Sequence, residues 1–293
     1  MNLQDLIELI LRVSIVLNVF AIGLEARVAD PLYLFRRPDK LVRAFFSMNV
    51  LMPLVALLLV LNFDLDPAVK VALVALSVSP VPPLFPKRAL MVGLKENYTV
   101  GLLVAAAVLA IAVIPIAMAI FERVSGRPMS MPVSSVARIV FTMVLVPLLL
   151  GIAGRAALSP FAQRVSKYVG PFASWLLVLA SLPVLFIEAR PIYSLFGNGT
   201  VLSLTAFTLA GLIFGYWLGG PEQANRRVLS LGTACRHPGL ALAIAHGNFP
   251  QQTMAMPAIF LYLVISILLC VLLDRLIGRA GAASSEANKR AAA

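Results

Sequence analysis

Arg236-His237-Pro238-Gly239 puts a permanent cation and a titratable imidazole inside a hydrophobic run, 228–247, long enough to cross a bilayer once. Pro238 has no N–H, so the carbonyl of Ala234 loses its i→i+4 partner and collides with the proline ring. His237, preceding a proline, is pushed out of the helical region, and Gly239 adds backbone freedom. Two half-helices meeting at a non-helical break are expected. Broken backbone at membrane depth persists only where protein or a water-filled cavity satisfies the freed polar groups, so the stretch is a candidate binding site. Arg236 lies nine residues past Arg227, about 14 Å into the membrane by helical rise and far from easy snorkelling. A cation there costs roughly 2.5–3.5 kcal/mol on insertion scales and must face a cavity or a partner. It could hold an anionic substrate, or clamp the carbonyls freed at the break. His237 could titrate as a proton-linked switch, or serve as a hydrogen-bonded fixture.

A second stretch has the same character. In Ser77-Val-Ser-Pro-Val-Pro-Pro-Leu-Phe-Pro86, only about twelve residues of an apolar run precede Pro80, roughly 18 Å of helix and too short to cross. Pro80, Pro82, Pro83 and Pro86 cannot continue a helix, so this run also breaks within the membrane. Ser77, Ser79 and Thr233 flank the breaks and could line a site, although such hydroxyls often bond back to their own helix. Lys87 follows the prolines; it could reach a cavity or anchor the helix end by the positive-inside rule.

The elements that position these residues follow from composition. The chain has 293 residues, 60% hydrophobic and 13% charged, with a mean hydropathy of +0.94. That is a polytopic, all-α membrane protein rather than a soluble domain, and lipid is its first partner. Nine apolar segments run near 6–24, 41–61, 68–86, 98–121, 131–154, 169–187, 201–218, 228–247 and 254–277. The net charge of +11 comes from basic residues at segment ends, so nucleic acid is not implied. Seventeen of the 24 Lys and Arg gather on one side; Lys70, Arg123, Arg127 and Arg190 fall on the other. The positive-inside rule places the N-terminus outside and the C-terminus in the cytoplasm, in a plasma (inner) membrane. Residues 278–293 read as a disordered cytoplasmic tail. Arg12 has Glu8 one turn away as a local partner, and Cys235 and Cys270, both within apolar runs, argue against a disulfide.

The two interrupted segments are the third and the eighth, so they run in opposite directions and each precedes one intact segment. Such a pattern points to an inverted-repeat transporter whose site forms where the breaks meet. An intramembrane enzyme would need a nucleophile with a base, or clustered metal ligands. With His237 and His246 the only histidines and no acid near either break, neither enzyme, metal nor cofactor is expected.

The motifs Arg-His-Pro-Gly-Leu-Ala-Leu-Ala-Ile-Ala and Ser-Pro-Val-Pro-Pro, with Phe-Ala-Ile-Gly-Leu-Glu and Phe35-Arg-Arg-Pro38 near the start, resemble the bile acid:sodium symporter family. The resemblance covers all nine segments and implies a nine-helix form. It implies a panel domain of helices 1, 5 and 6 (1–30 and 131–190) against a core domain of helices 2–4 and 7–9 (41–123 and 191–277). Transport would be by alternating access at two crossing helices. Sodium-coupled members carry a glutamate, and a glutamine-asparagine pair, just ahead of the shared glycine. Here Gly232 stands at the glutamate position, Arg236 at the glutamine and His237 at the asparagine, while Phe85-Pro86 replaces a serine-asparagine pair at the other crossing. An arginine in that place repels sodium, or occupies the position sodium would fill. The expected function is therefore a secondary transporter of a small organic anion with sodium coupling set in question. A conventional sodium-coupled symporter, and a channel or membrane receptor, are the alternatives.

Overall fold

The structure is a computed structural model that describes residues 3–291 apart from 92, 127 and 128. Arg127 and the first and last two residues lie outside them. The first span is one helix, α1 (Leu3–Glu25). The second is α2 (Pro38–Phe45), a π-type stretch Phe46–Leu51 and α3 (Met52–Asn62). The third is halved into α4 (Pro67–Val78) and α5 (Phe85–Met91), and the fourth is α6 (Glu96–Ser125). The fifth repeats the pattern of the second, with α7 (Val133–Val140), a π-type stretch Phe141–Leu145 and α8 (Val146–Ala157). Then come α9 (Ser159–Ser194) and α10 (Thr200–Leu218), the halves α11 (Gln223–Ala234) and α12 (Pro238–Asn248), and α13 (Ala255–Ala291). Among the described residues eight helical stretches are long and apolar enough to cross a membrane, and α4 is a shorter apolar helix. The chain is an all-helical, polytopic membrane protein.

Local chemistry explains the boundaries. Asp66 accepts from the Ala68 N–H at 2.8 Å and Pro67 sits at the first helical position, which starts α4. Both π-type stretches run into a proline, Pro53 or Pro147, at the start of the next helix. The wider turn falls where a residue cannot return a backbone hydrogen bond. The helix of α13 runs on through 278–291, a stretch rich in Ala, Glu, Lys and Arg, which are strong helix formers.

Two close packings set the frame. α1 lies against α8 and α9, and a Cβ on Gly151 would fall 2.3 Å from the Phe20 carbonyl oxygen. α10 lies as tightly on α11, where a Cβ on Gly215 would meet Leu229 O at 2.5 Å. The eighth span is the centre of the molecule: 78% of its most apolar stretch is buried, against 17% in α9. At one end Glu222 pairs with Lys95 at 2.6 Å and Lys40 at 3.4 Å, and Lys40 also donates to the Tyr33 hydroxyl at 3.1 Å. The loops after the first, third and seventh spans therefore share one end. The hydrogen bonds from Lys95 and Lys40 hold the exposed Glu222 carboxyl below its usual range. At the opposite end Asn248 accepts from the Ser130 N–H at 2.7 Å.

Candidate functional site

The two breaks meet. The His237 N–H donates to the Pro80 carbonyl at 2.8 Å, a backbone bond between the third and eighth spans. Beside it, Arg236 is 1% exposed and donates through Nη1 to Ser79 O at 3.0 Å and through Nη2 to Met48 O at 2.8 Å. The Tyr262 hydroxyl, from α13, donates to Ala234 O. Pro80, Pro82 and Pro83 lie in the non-helical connection between α4 and α5. Pro86 falls instead in the first turn of α5, Pro238 is the first residue of α12 and Gly239 is already helical. These three start the half-helices rather than forming the gap, since proline suits a helix's first turn, where its missing N–H costs nothing.

A single rule accounts for the polar contacts. The amide four residues after Ala234 belongs to Pro238. Those three and four after Ser79 belong to Pro82 and Pro83. The one five after Met48, the π-type partner, belongs to Pro53. None can donate. Each of these three carbonyls receives a side-chain donor instead, two of them from one guanidinium, whose planar fork holds two donors at fixed spacing. Buried carbonyls need such partners.

The remaining sequence candidates separate. The Ser77 hydroxyl turns back to Val74 O at 2.8 Å and that of Ser79 to Ala75 O at 2.7 Å, so Ser79 serves the crossing through its carbonyl. Thr233 exchanges a hydrogen bond with Ser47 at 2.9 Å, tying α11 to the second span. Gly232 faces apolar groups: a Cβ there would lie 2.6 Å from Leu102 Cδ2 and 3.5 Å from Phe85 Cζ. Lys87 is not at the crossing. It bonds Asn18 of α1 and Gly170 and Ser174 of α9. Cys235 and Cys270 are buried with their sulfurs in contact at 3.8 Å and no disulfide between them. Arg12 pairs with Glu8 as its spacing implied. Sequence reasoning missed Met48, Ser47 and Tyr262. Pro53 was the available signal for the first two, and a tyrosine inside an apolar run for the third.

Two polar atoms at the crossing are unspent. His237 Nδ1 accepts from the Leu240 N–H at 3.2 Å, capping α12. An accepting Nδ1 carries no proton, so in the neutral ring the N–H is at Nε2. That Nε2 is buried without a partner among the described residues, and so is Nε of Arg236. Adjacent residues at the break thus leave two buried N–H donors open.

Tyr262→Phe isolates one prop of this arrangement. It strands the buried Ala234 carbonyl and is expected to cost about 1–3 kcal/mol, seen as a lower melting temperature of the purified protein. An unchanged melting curve would show that the backbone satisfies Ala234 without it.

Comparison with known proteins adds two findings. The family model described as Sodium Bile acid symporter family matches residues 12–195, more than half of the chain. Proteins of Oryza sativa subsp. indica and subsp. japonica, each named "Probable sodium/metabolite cotransporter BASS5, chloroplastic", are 26% identical to it over 139 residues. The match covers 45% of this chain and 35% of each relative, so the chain spans about a third of the relatives' length.

Proposed function

This chain belongs to the sodium bile acid symporter family, and from that premise we propose that it is a secondary transporter moving a small organic anion by alternating access, without sodium as the coupling ion. The observation that carries the substrate reading is the pair of unspent donors, Arg236 Nε and His237 Nε2, at the crossing of the two broken spans. Two donors with no acceptor, one on a guanidinium, call for a ligand that brings acceptor oxygens and negative charge. The rice relatives are named sodium/metabolite cotransporters, which favours a metabolite as cargo and makes conventional sodium coupling the second reading.

Against sodium stands the lining of the crossing. Sodium is a hard cation that needs several oxygen ligands. Gly232 faces Leu102 and Phe85, and a buried guanidinium already occupies the carbonyls of Ser79 and Met48. The family's panel and core division, the inner-membrane location and an outside N-terminus complete the proposal. Tight packing of α1 with α8 and α9 supports the first, and the shared end of the basic loops supports the orientation.

A thermal-shift screen of organic anions on the purified protein identifies the cargo, since a ligand of the folded form raises its melting temperature. Counterflow in proteoliposomes with that anion distinguishes a carrier from a channel or receptor. Uptake in sodium, potassium and choline media at fixed pH is expected to be equal. A steep sodium dependence would assign the coupling to backbone oxygens and overturn the sodium-free reading.

A further inference from the structure

Lys87 holds a different place from every other candidate, between α5 and the pair α1 and α9. Its Nζ donates to Asn18 Oδ1 at 3.1 Å, to Gly170 O at 2.8 Å and to the Ser174 hydroxyl. The acceptors are preset. Asn18 is 1% exposed and its Nδ2 donates to Ser14 O at 2.8 Å, which turns Oδ1 toward the lysine. The Ser174 hydroxyl, while accepting from Lys87, lies 2.9 Å from Asn18 Oδ1 and 2.8 Å from Gly170 O, either of which can take its own proton. Three neutral oxygens on two helices therefore surround one ammonium on a third, matching its three N–H donors.

Along α5, Lys87 stands between Pro83 of the break and Leu90, which lines a cavity. The cavity, about 240 Å³, is lined by Leu24, Glu25, Leu90, Glu96 and Arg155, where α1, α5, α6 and α8 converge. Along α5, Leu90 is one turn beyond Lys87. Along α1, Glu25 is seven residues beyond Asn18, about 10 Å nearer the loop end. In the other direction Phe85, two residues before Lys87 and so on roughly the opposite side of the helix, turns toward the eighth span, its Cζ 3.5 Å from where a Cβ on Gly232 would stand. Neither Met48, Ser79, Arg236 nor His237 of the crossing lines the cavity.

We infer that Lys87 is the gate on this side of the transport path: its ammonium ties α5 to α1 and α9, and the tie must part for cargo to pass between the cavity and the crossing. The inference rests on the transport reading. It also gives the gate a natural opener, because an anionic group competes for an ammonium better than three neutral oxygens do.

The test uses no cargo, so its failure removes the gate and leaves the transport reading to the uptake experiment. A cysteine is placed at Leu84, three residues from Lys87 on the crossing side, and labelled in membrane vesicles by an impermeant maleimide supplied from the cavity side. Labelling is measured over that of the parent, whose Cys235 and Cys270 are buried. Adding Lys87→Ala is expected to speed labelling about tenfold, as loss of charge-assisted bonds allows. Methylammonium chloride, which restores an N–H-bearing cation, should slow it again, whereas tetramethylammonium chloride, with no N–H, should not. Unchanged labelling in Lys87→Ala, or equal effects of the two salts, would overturn the gate. If Lys87→Ala does not fold, Asn18→Leu with Ser174→Ala removes two of the three acceptors and keeps the lysine. That variant must also label faster, and a folded variant labelled at the parent's rate overturns the inference equally.

Discussion

Arg236→Leu, Arg236→Gln and Arg236→Lys are expected to lose stability in that order, with the glutamine variant down by about 1–3 kcal/mol. The ranking follows from the two carbonyls the guanidinium serves, Ser79 O and Met48 O. Leucine strands both, at about 1–3 kcal/mol for each buried acceptor. Glutamine reaches one at most. Relief of a desolvated charge offsets part of the loss, as insertion scales put that charge at roughly 2.5–3.5 kcal/mol. Lysine keeps the charge and can turn its N–H groups to either carbonyl, but replaces a fork by a point. An arginine that only selects an anion could be removed with little effect on folding. Here the same side chain joins three spans, so anion binding and stability should fall together in the glutamine variant. Melting curves of the three variants, with and without a stabilising anion, decide it. Unchanged melting with lost anion binding would return Arg236 to a purely ligand-binding role.

Replacing Pro238 and Gly239 together by alanine is expected to abolish carrier-mediated uptake while leaving the protein in the membrane at normal amount. Proline in a helix interior costs about 3 kcal/mol and glycine about 1 kcal/mol relative to alanine, so the pair holds a large bias against continuous helix at 235–239. With alanine at 238 an N–H becomes available to Ala234 O, in competition with the Tyr262 hydroxyl. Helix extending through 235–237 would draw the His237 N–H away from Pro80 O and swing the guanidinium off its two carbonyls. A Cβ at 239 would also press on the His237 ring, whose Cε1 lies 3.2 Å from where it would stand. Uptake by the double variant is measured beside its membrane content. Wild-type transport from it would mean that the break is not part of the path.

Much of the architecture was fixed by composition and period alone. Nine apolar runs, basic loop ends and two proline-rich interruptions leave one economical arrangement, because a bilayer admits only helices whose backbone groups are satisfied. The runs 228–247 and 68–86 had to break near Pro238 and Pro80, and they do. Prolines 82 and 83 had to leave carbonyls without amide partners, whatever the rest of the chain did. The residue types at 232, 236 and 237, on which the sodium-free reading rests, were equally legible.

The tertiary structure decided which groups answer those needs. Nothing in the sequence says that Arg236 turns to Met48, 188 positions away, or that Tyr262 closes the gap at Ala234. Nor does it say that Ser79 contributes a carbonyl rather than a hydroxyl. Lys87 read first as a loop anchor and second as a cavity group until Asn18, Gly170 and Ser174 were seen around it. The physical reason is the range of the forces involved. A missing N–H is a property of one proline and is felt within five residues. The donor that compensates for it must come from wherever packing brings one within about 3 Å, and that depends on the whole bundle.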